Sequence, residues 1–396
     1  MKHHLLLPIL LLLATAACRQ DEPTPPSSST TVAPGANGPV KGFFLLNEGN
    51  MGANKASIDY FDYASGTYTR DIYPGRNPGV VKELGDVGND IQIHGNKLYA
   101  VINCSHFVEI MDLHTARHVA RVSIPNCRYI AFKGDRAYVS SYAGPVQLDP
   151  NARLGYVARL DTARLDAGVL DTCVVGYQPE EMAITGNKLY VANSGGYRAP
   201  NYDQTISVID LETFKVVKTI TAGINLHRLE LDNHGYLYAS SRGNYRDVHS
   251  KTYVIDTRSD LVTAVLDLPN SDMTLRGDSL YIYSAEWSQL ANRHAISYAI
   301  LDTRSRQVVS RSFITDGTDK LIQTPSCLAV HPVTGEILVA DARDYITPGA
   351  LYCFSPGGKL NWKVPVSTES SAVTTGDIPS RIVFTRVALE PLDTFQ

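Results

Sequence analysis

Thirteen side chains suited to gripping a ligand fall in or beside loops that follow one kind of strand: Asn89, Asn103, Arg128, Tyr142, Asn193, Tyr197, Arg198, Tyr202, Arg242, Tyr245, Trp287, Arg343 and Tyr345. Tyr and Trp supply rigid apolar area with a polar tip, Arg supplies a forked donor for amide or phosphate oxygens, and Asn both donates and accepts. This is the residue mix of a recognition surface. Two readings stay open for each of them: a ligand contact, or local packing, with arginines pairing to Asp203, Asp247 or Asp344.

Covalent chemistry has little support in the same stretches. There is no GxSxG elbow, HExxH pair, phosphate-cradling Walker loop or dinucleotide fingerprint. Carboxylates recur in Asp86-Val87-Gly88-Asn89-Asp90 and Glu180-Glu181. They could hold calcium or serve as acid and base, but acids at strand starts more often pair with arginines, here Arg128, Arg228 or Arg381. The histidines are scattered, with no pair at ligand spacing inside one loop. The chain is therefore expected to bind rather than catalyse, with no catalytic residue, metal or cofactor. A net charge of −4 without a basic stripe excludes nucleic acid as the expected partner.

The elements that position these loops repeat. FFLLNEG, KLYAVIN, RAYVSSY, KLYVANS, YLYASSR, SLYIYSA and EILVADA are each followed by a second run closing on Asp62, Asp112, Asp161, Asp210, Asp256, Asp302 or Ser355. The spacing is about 49 residues, within the range of about 40–50 that marks a β-propeller. A third run precedes each unit or ends the chain: NDIQI, CRYIAF, PEEMAI, LHRLEL, DMTLRG, PSCLAV and PSRIVF. These read as innermost strands, and they predict an all-β, seven-bladed propeller closed by pairing 379–384 with 43–49. The long loops rich in Tyr, Arg and Asn then share one face. Tight turns such as HGNK and TGNK occupy the other.

The ends read differently. Residues 1–17 have the charged start, apolar run and small residues of a signal peptide. Cys18 stands where a bacterial lipobox places the lipidated cysteine, although Thr15 replaces the usual leucine. Arg19-Gln20-Asp21-Glu22 resembles the acidic signal that exports lipoproteins of Bacteroidota to the outer face of the outer membrane. Residues 18–41, rich in Pro, Ser, Thr and Gly, are expected to be a disordered tether, and 42–392 the propeller. Five further cysteines leave two readings open, a Cys104–Cys127 bridge or buried small hydrophobes.

At the level of the repeat, SVIDLETFKVVKTI and NKLYVANSGG resemble YVTN-type propellers. More narrowly, FFLLNEGNMGANKASIDYFD, LGDVGNDIQIHGNKLYAVINCSHFVEIMD, VGYQPEEMAITGNKLYVANSGGYRAPNYDQTISVIDL and SSRGNYRDVHSK resemble the surface-exposed cobalamin-capture lipoproteins of gut Bacteroidota, the BtuG type. The resemblance implies a lipid-anchored propeller that binds vitamin B12 and other corrinoids and passes them to a TonB-dependent outer-membrane transporter of the BtuB type. The competing classes are a propeller lyase or oxidoreductase, and a module that binds surface glycans or proteins.

Overall fold

The computed structural model describes residues 27–80, 83–288, 293–366 and 378–391. Each repeat folds into an antiparallel sheet of four strands. In the second blade these are Gly88–His94, Lys97–Ile102, Phe107–Asp112 and His118–Ser123, in that order from the axis outward. The second strand is buried along almost its whole length because neighbouring blades cover both of its faces. The outermost strand alternates between exposed and covered positions. The recurring aspartate is explained by its turn. Asp112 accepts from the amides of His114 and Thr115, Asp302 from that of Ser305, and Asp210 from that of Thr213. At the inner hairpins, Gly95 and Gly186 take positive φ of 59° and 54°, as two-residue turns between twisted strands require.

Seven inner strands touch in sequence around the axis, and the last of them, Pro379–Thr385, comes from the end of the chain. It pairs with Gly42–Asn47, with Phe43 opposite Phe384 and Leu45 opposite Ile382. The fold is therefore the all-β, seven-bladed propeller expected, closed by its C-terminal strand. Each blade interface carries its own apolar cluster; one of them packs Phe43, Phe61, Leu338 and Trp362 between the first and last blades.

One expectation needs correction. Residues 18–41 are expected to be a disordered tether, but Ser29–Thr31 form a fifth strand on the outer edge of the first blade, antiparallel to Thr67–Thr69. The Ser and Thr residues that read as linker find partners there: Ser29 Oγ with Thr69 Oγ1 at 2.9 Å, and Thr30 Oγ1 with the guanidinium of Arg70 at 3.0 Å. Thr is a good strand former once a free edge is offered, and local composition does not reveal that edge. Cys104, Cys127, Cys173, Cys327 and Cys353 are all free thiols, so the bridge is not formed, and four of the five are buried. The signal peptide, Cys18 and the residues 19–22 lie outside the described residues.

Candidate functional site

The inner strands begin on the long-loop face, and in blades one to five and seven their first residues slip register against the second strand. A bulge lets two consecutive side chains turn toward the axis instead of alternating. Two tiers result. The upper tier is Asn89, Arg128, Glu180, His227, Ser271, Ser326 and Ser380; the lower is Asp90, Tyr129, Glu181, Arg228, Asp272, Cys327 and Arg381. The sixth blade supplies Ser271 and Asp272 without a slip, and Cys327 packs in the apolar cluster between the first and last blades.

The lower tier is mainly structural. Asp90, Glu181 and Asp272 sit in alternate blades, and each accepts a backbone N–H from the next blade: Ile130, Leu229 and Leu328, respectively. Arg228 lies 2.9 Å from Asp272, and Arg381 lies 2.5 Å from Glu181. Burial pushes the carboxyls of Asp90 and Asp272 up in spite of these arginines. One residue pair below, the Glu230 carboxyl is pushed up to about 8 by burial and then by Glu181.

Above this floor opens a cavity of about 520 Å³. Its chemistry is set by Glu180, which is buried between two arginines. Oε2 accepts from Arg128 at 3.1 Å, and Oε1 accepts from Arg242 at 3.0 Å and from the Tyr142 hydroxyl at 2.5 Å. Burial alone would raise this carboxyl, but Arg128, Arg242 and Tyr142 together hold it below the usual carboxylate range. From the same third and fifth blades that flank Glu180, the Tyr129 hydroxyl lies 2.9 Å from His227 Nε2. Burial, followed by the surrounding arginines, holds His227 well below its ordinary range, so it is neutral at pH 7. The opposite wall is small and polar, formed by Ser271, Thr324, Ser326 and Ser380. The buried hydroxyl of Ser326 lacks a partner among the described residues.

The rim is aromatic. Tyr245 and Tyr345 occupy matching loop positions in blades five and seven, each with φ of 62°, and are 43% and 42% exposed. A bulky residue in the left-handed region is unusual and points to a position held for a purpose. Tyr197 and Met51 complete the mouth.

Seven of the thirteen sequence-derived residues therefore line the cavity: Asn89, Asn103, Arg128, Tyr197, Arg242, Tyr245 and Tyr345. Asn103 does so while buried, with its amide on Asn126 and Cys127. The other six do not line it. Tyr142 stands behind Glu180, and Asn193 bonds Thr205 and Ser207 within its blade. Arg198 lies over the Tyr177 ring, and Tyr202 lies near Tyr245. Trp287 packs edge-on to His294, and the Arg343 carbonyl accepts from Thr324. Sequence reading missed Tyr129, His227, Glu48, Tyr283 and the serines. For Tyr129, His227, Ser326 and Ser380 the signal was the matched start of each inner strand, which becomes informative only with the bulge, whereas Glu48 follows a second strand and Tyr283 lies within one. Of the carboxylates weighed as calcium ligands, Asp90, Glu180 and Glu181 are engaged by arginines and Asp86 accepts from the amides of Gly52 and Asn54, and among the described residues no three His, Cys, Asp or Glu side chains converge as metal ligands.

The sequence matches no curated protein. Among solved structures, the chain is similar to hydrazine synthase of Kuenenia stuttgartiensis, with a TM-score of 0.55 at 16% identity over 68% of this chain and 76% of that one. At that identity the likeness concerns the fold. Residues 41–354 match a family described as a domain of unknown function. With its repeats, ring and closure in place, the chain belongs to that family, DUF5074.

Proposed function

We propose that this propeller is a non-catalytic capture protein that binds a corrinoid on its cavity face and delivers it unchanged to a TonB-dependent outer-membrane transporter. The observation that carries this reading is the state of the charges in the cavity. Arg128 and Arg242 share the one carboxylate of Glu180, so the trio offers donors and acceptors in rigid positions with a single formal positive charge in excess. A polyanion would have to break those buried pairs, at considerable cost. A large ligand edged with neutral amides would not. Tyr197, Tyr245 and Tyr345 at the mouth suit a broad, flat ring system, and the polar cavity beneath accommodates an appended group.

The resemblance to cobalamin-capture lipoproteins supplies the ligand's name, and the cavity chemistry is compatible with it. Acid–base work is less suited, because Glu180 and Glu181 are committed to arginines and His227 Nε2 is engaged with the Tyr129 hydroxyl. A rigid site limits the ordering cost of binding. The test is calorimetric titration with cyanocobalamin, followed by recovery of the ligand. Saturable one-to-one heat with unaltered ligand supports capture. A chemically changed ligand supports an enzyme, and no heat removes the corrinoid.

A further inference from the structure

Glu48 stands apart from the other carboxyls around the cavity. It follows directly on the second strand of the first blade, the place that Asn103 and Arg242 hold in blades two and five, and like them it lines the cavity. Its backbone is pinned from both sides: the amide donates to the carbonyl of Ile378 at 2.7 Å, and the carbonyl accepts from the amide of Gly88 at 3.1 Å. Gly88 allows that approach, since a Cβ there would lie 2.9 Å from the Asn47 carbonyl oxygen. The Glu48 side chain, by contrast, has no hydrogen bond or ion pair among the described residues. Its neighbours are all committed. Glu286, the other carboxyl on the wall, accepts from the amide of Ser250 at 3.0 Å and lies 3.1 Å from His249 Nδ1. Glu180 and Glu181 are held by arginines.

A carboxyl held out of water with nothing to bond is costly as an anion and much less so as the neutral acid. Burial raises Glu48 above its ordinary 4.5, and Arg128 and then Arg228 offset this only in part. The other titratable groups that face it are the Cys104 thiol, pushed up to about 11 by burial, and the Tyr345 hydroxyl, also raised by burial. Neither changes charge near neutral pH. A protonated carboxyl carries one donor and one acceptor side by side. A primary carboxamide presents the complementary pair. The trans amide of a peptide does not, because its N–H and C=O point to opposite sides.

We propose that Glu48, carrying its proton, is a specificity-determining contact of the cavity that receives a primary carboxamide of the ligand through two parallel hydrogen bonds. This rests on the corrinoid reading for the ligand's identity and adds which of its groups the first blade selects. The wall of Arg128 and Arg242 takes the ligand's acceptors, and Glu48 takes an amide edge that a peptide or a simple sugar lacks.

The test is calorimetric titration of the parent, Glu48→Gln and Glu48→Ala with cyanocobalamin, from mildly acidic to mildly alkaline buffer, each protein first shown to keep its melting transition. The binding form is the protonated one, so the parent's affinity is full at low pH and falls as pH rises through the raised Glu48 value. Glu48→Gln keeps a donor and an acceptor but cannot ionise; it should match the parent at low pH and lack that fall. Glu230 titrates in all three proteins, so the comparison removes its contribution. Glu48→Ala should bind about tenfold more weakly at low pH, the loss expected for two neutral hydrogen bonds. A second readout needs no ligand: the infrared difference between parent and Glu48→Gln at neutral pH should contain the carbonyl band of a protonated carboxylic acid. Parallel pH profiles for parent and Glu48→Gln, undiminished binding by Glu48→Ala, or absence of that band overturns the role of Glu48 and leaves the corrinoid reading standing. A folded parent that gives no heat with cyanocobalamin at any pH overturns both together.

Discussion

Glu180 shows how one residue organises the mouth of the ring. Its carboxylate is buried between two guanidiniums, and removing one partner of such a set leaves charge that water cannot reach. Glu180→Gln should cost about 3–5 kcal/mol in denaturant unfolding, the usual range for breaking a buried ion pair. A change well under about 1 kcal/mol would mean that Arg128 and Arg242 are solvated after all. Glu230 makes the opposite prediction in pH. Its carboxyl keeps a proton in the folded protein up to about 8, against 4.5 for the unperturbed group. The folded state thus binds more protons between those values, and stability falls as pH rises through that window. Glu181, Arg381 and Asp272 face it and modulate the effect. Glu230→Gln should flatten the decline relative to the parent; parallel profiles for the two proteins would contradict the assignment.

At the scale of elements, the closing strand and the N-terminal strand are the two joints of the ring. Deleting residues from Pro379 onward strips the inner strand from the first blade and exposes Phe43 and Leu45. Such a protein should lose its cooperative thermal transition, and an unchanged melting temperature would refute closure by that strand. The N-terminal strand depends on Gly66, which has φ of 67° and no room for a Cβ, since one would sit 1.9 Å from the Ala33 carbonyl oxygen. Gly66→Ala should make residues 28–36 sensitive to limited proteolysis while the blades stay resistant. Equal resistance of that segment would show that it accommodates the methyl group.

The two joints were not equally legible in the sequence. PSRIVF announced the closing strand because six other runs share its place in the repeat. The strand at Ser29–Thr31 has no counterpart in the repeat, and its Ser–Thr composition is that of a linker. The site was legible in the same uneven way. Loop tyrosines and arginines could be seen, and Tyr197, Arg242, Tyr245 and Tyr345 do line one cavity. Trp287 and Asn193 could not be told from them, because facing the axis depends on the register slips at the strand starts and on loop geometry.

For the molecule as a whole, a rigid ring gathers loops from separate blades into one polar cavity with an aromatic mouth, and that cavity is the proposed corrinoid site. Tyr245 and Tyr345 offer the cleanest probe, being half-exposed at the rim and remote from the apolar clusters between blades. Replacing both with Ala should leave the melting transition in place and weaken binding by well over about tenfold, each tenfold being about 1.4 kcal/mol. The most direct measurement is a calorimetric titration of the parent and of this double variant with cyanocobalamin. The account predicts saturable one-to-one binding for the parent, a marked loss for the variant, and recovery of unaltered cobalamin. Absence of heat with the folded parent would contradict it, as would equal affinity of parent and variant for the choice of site.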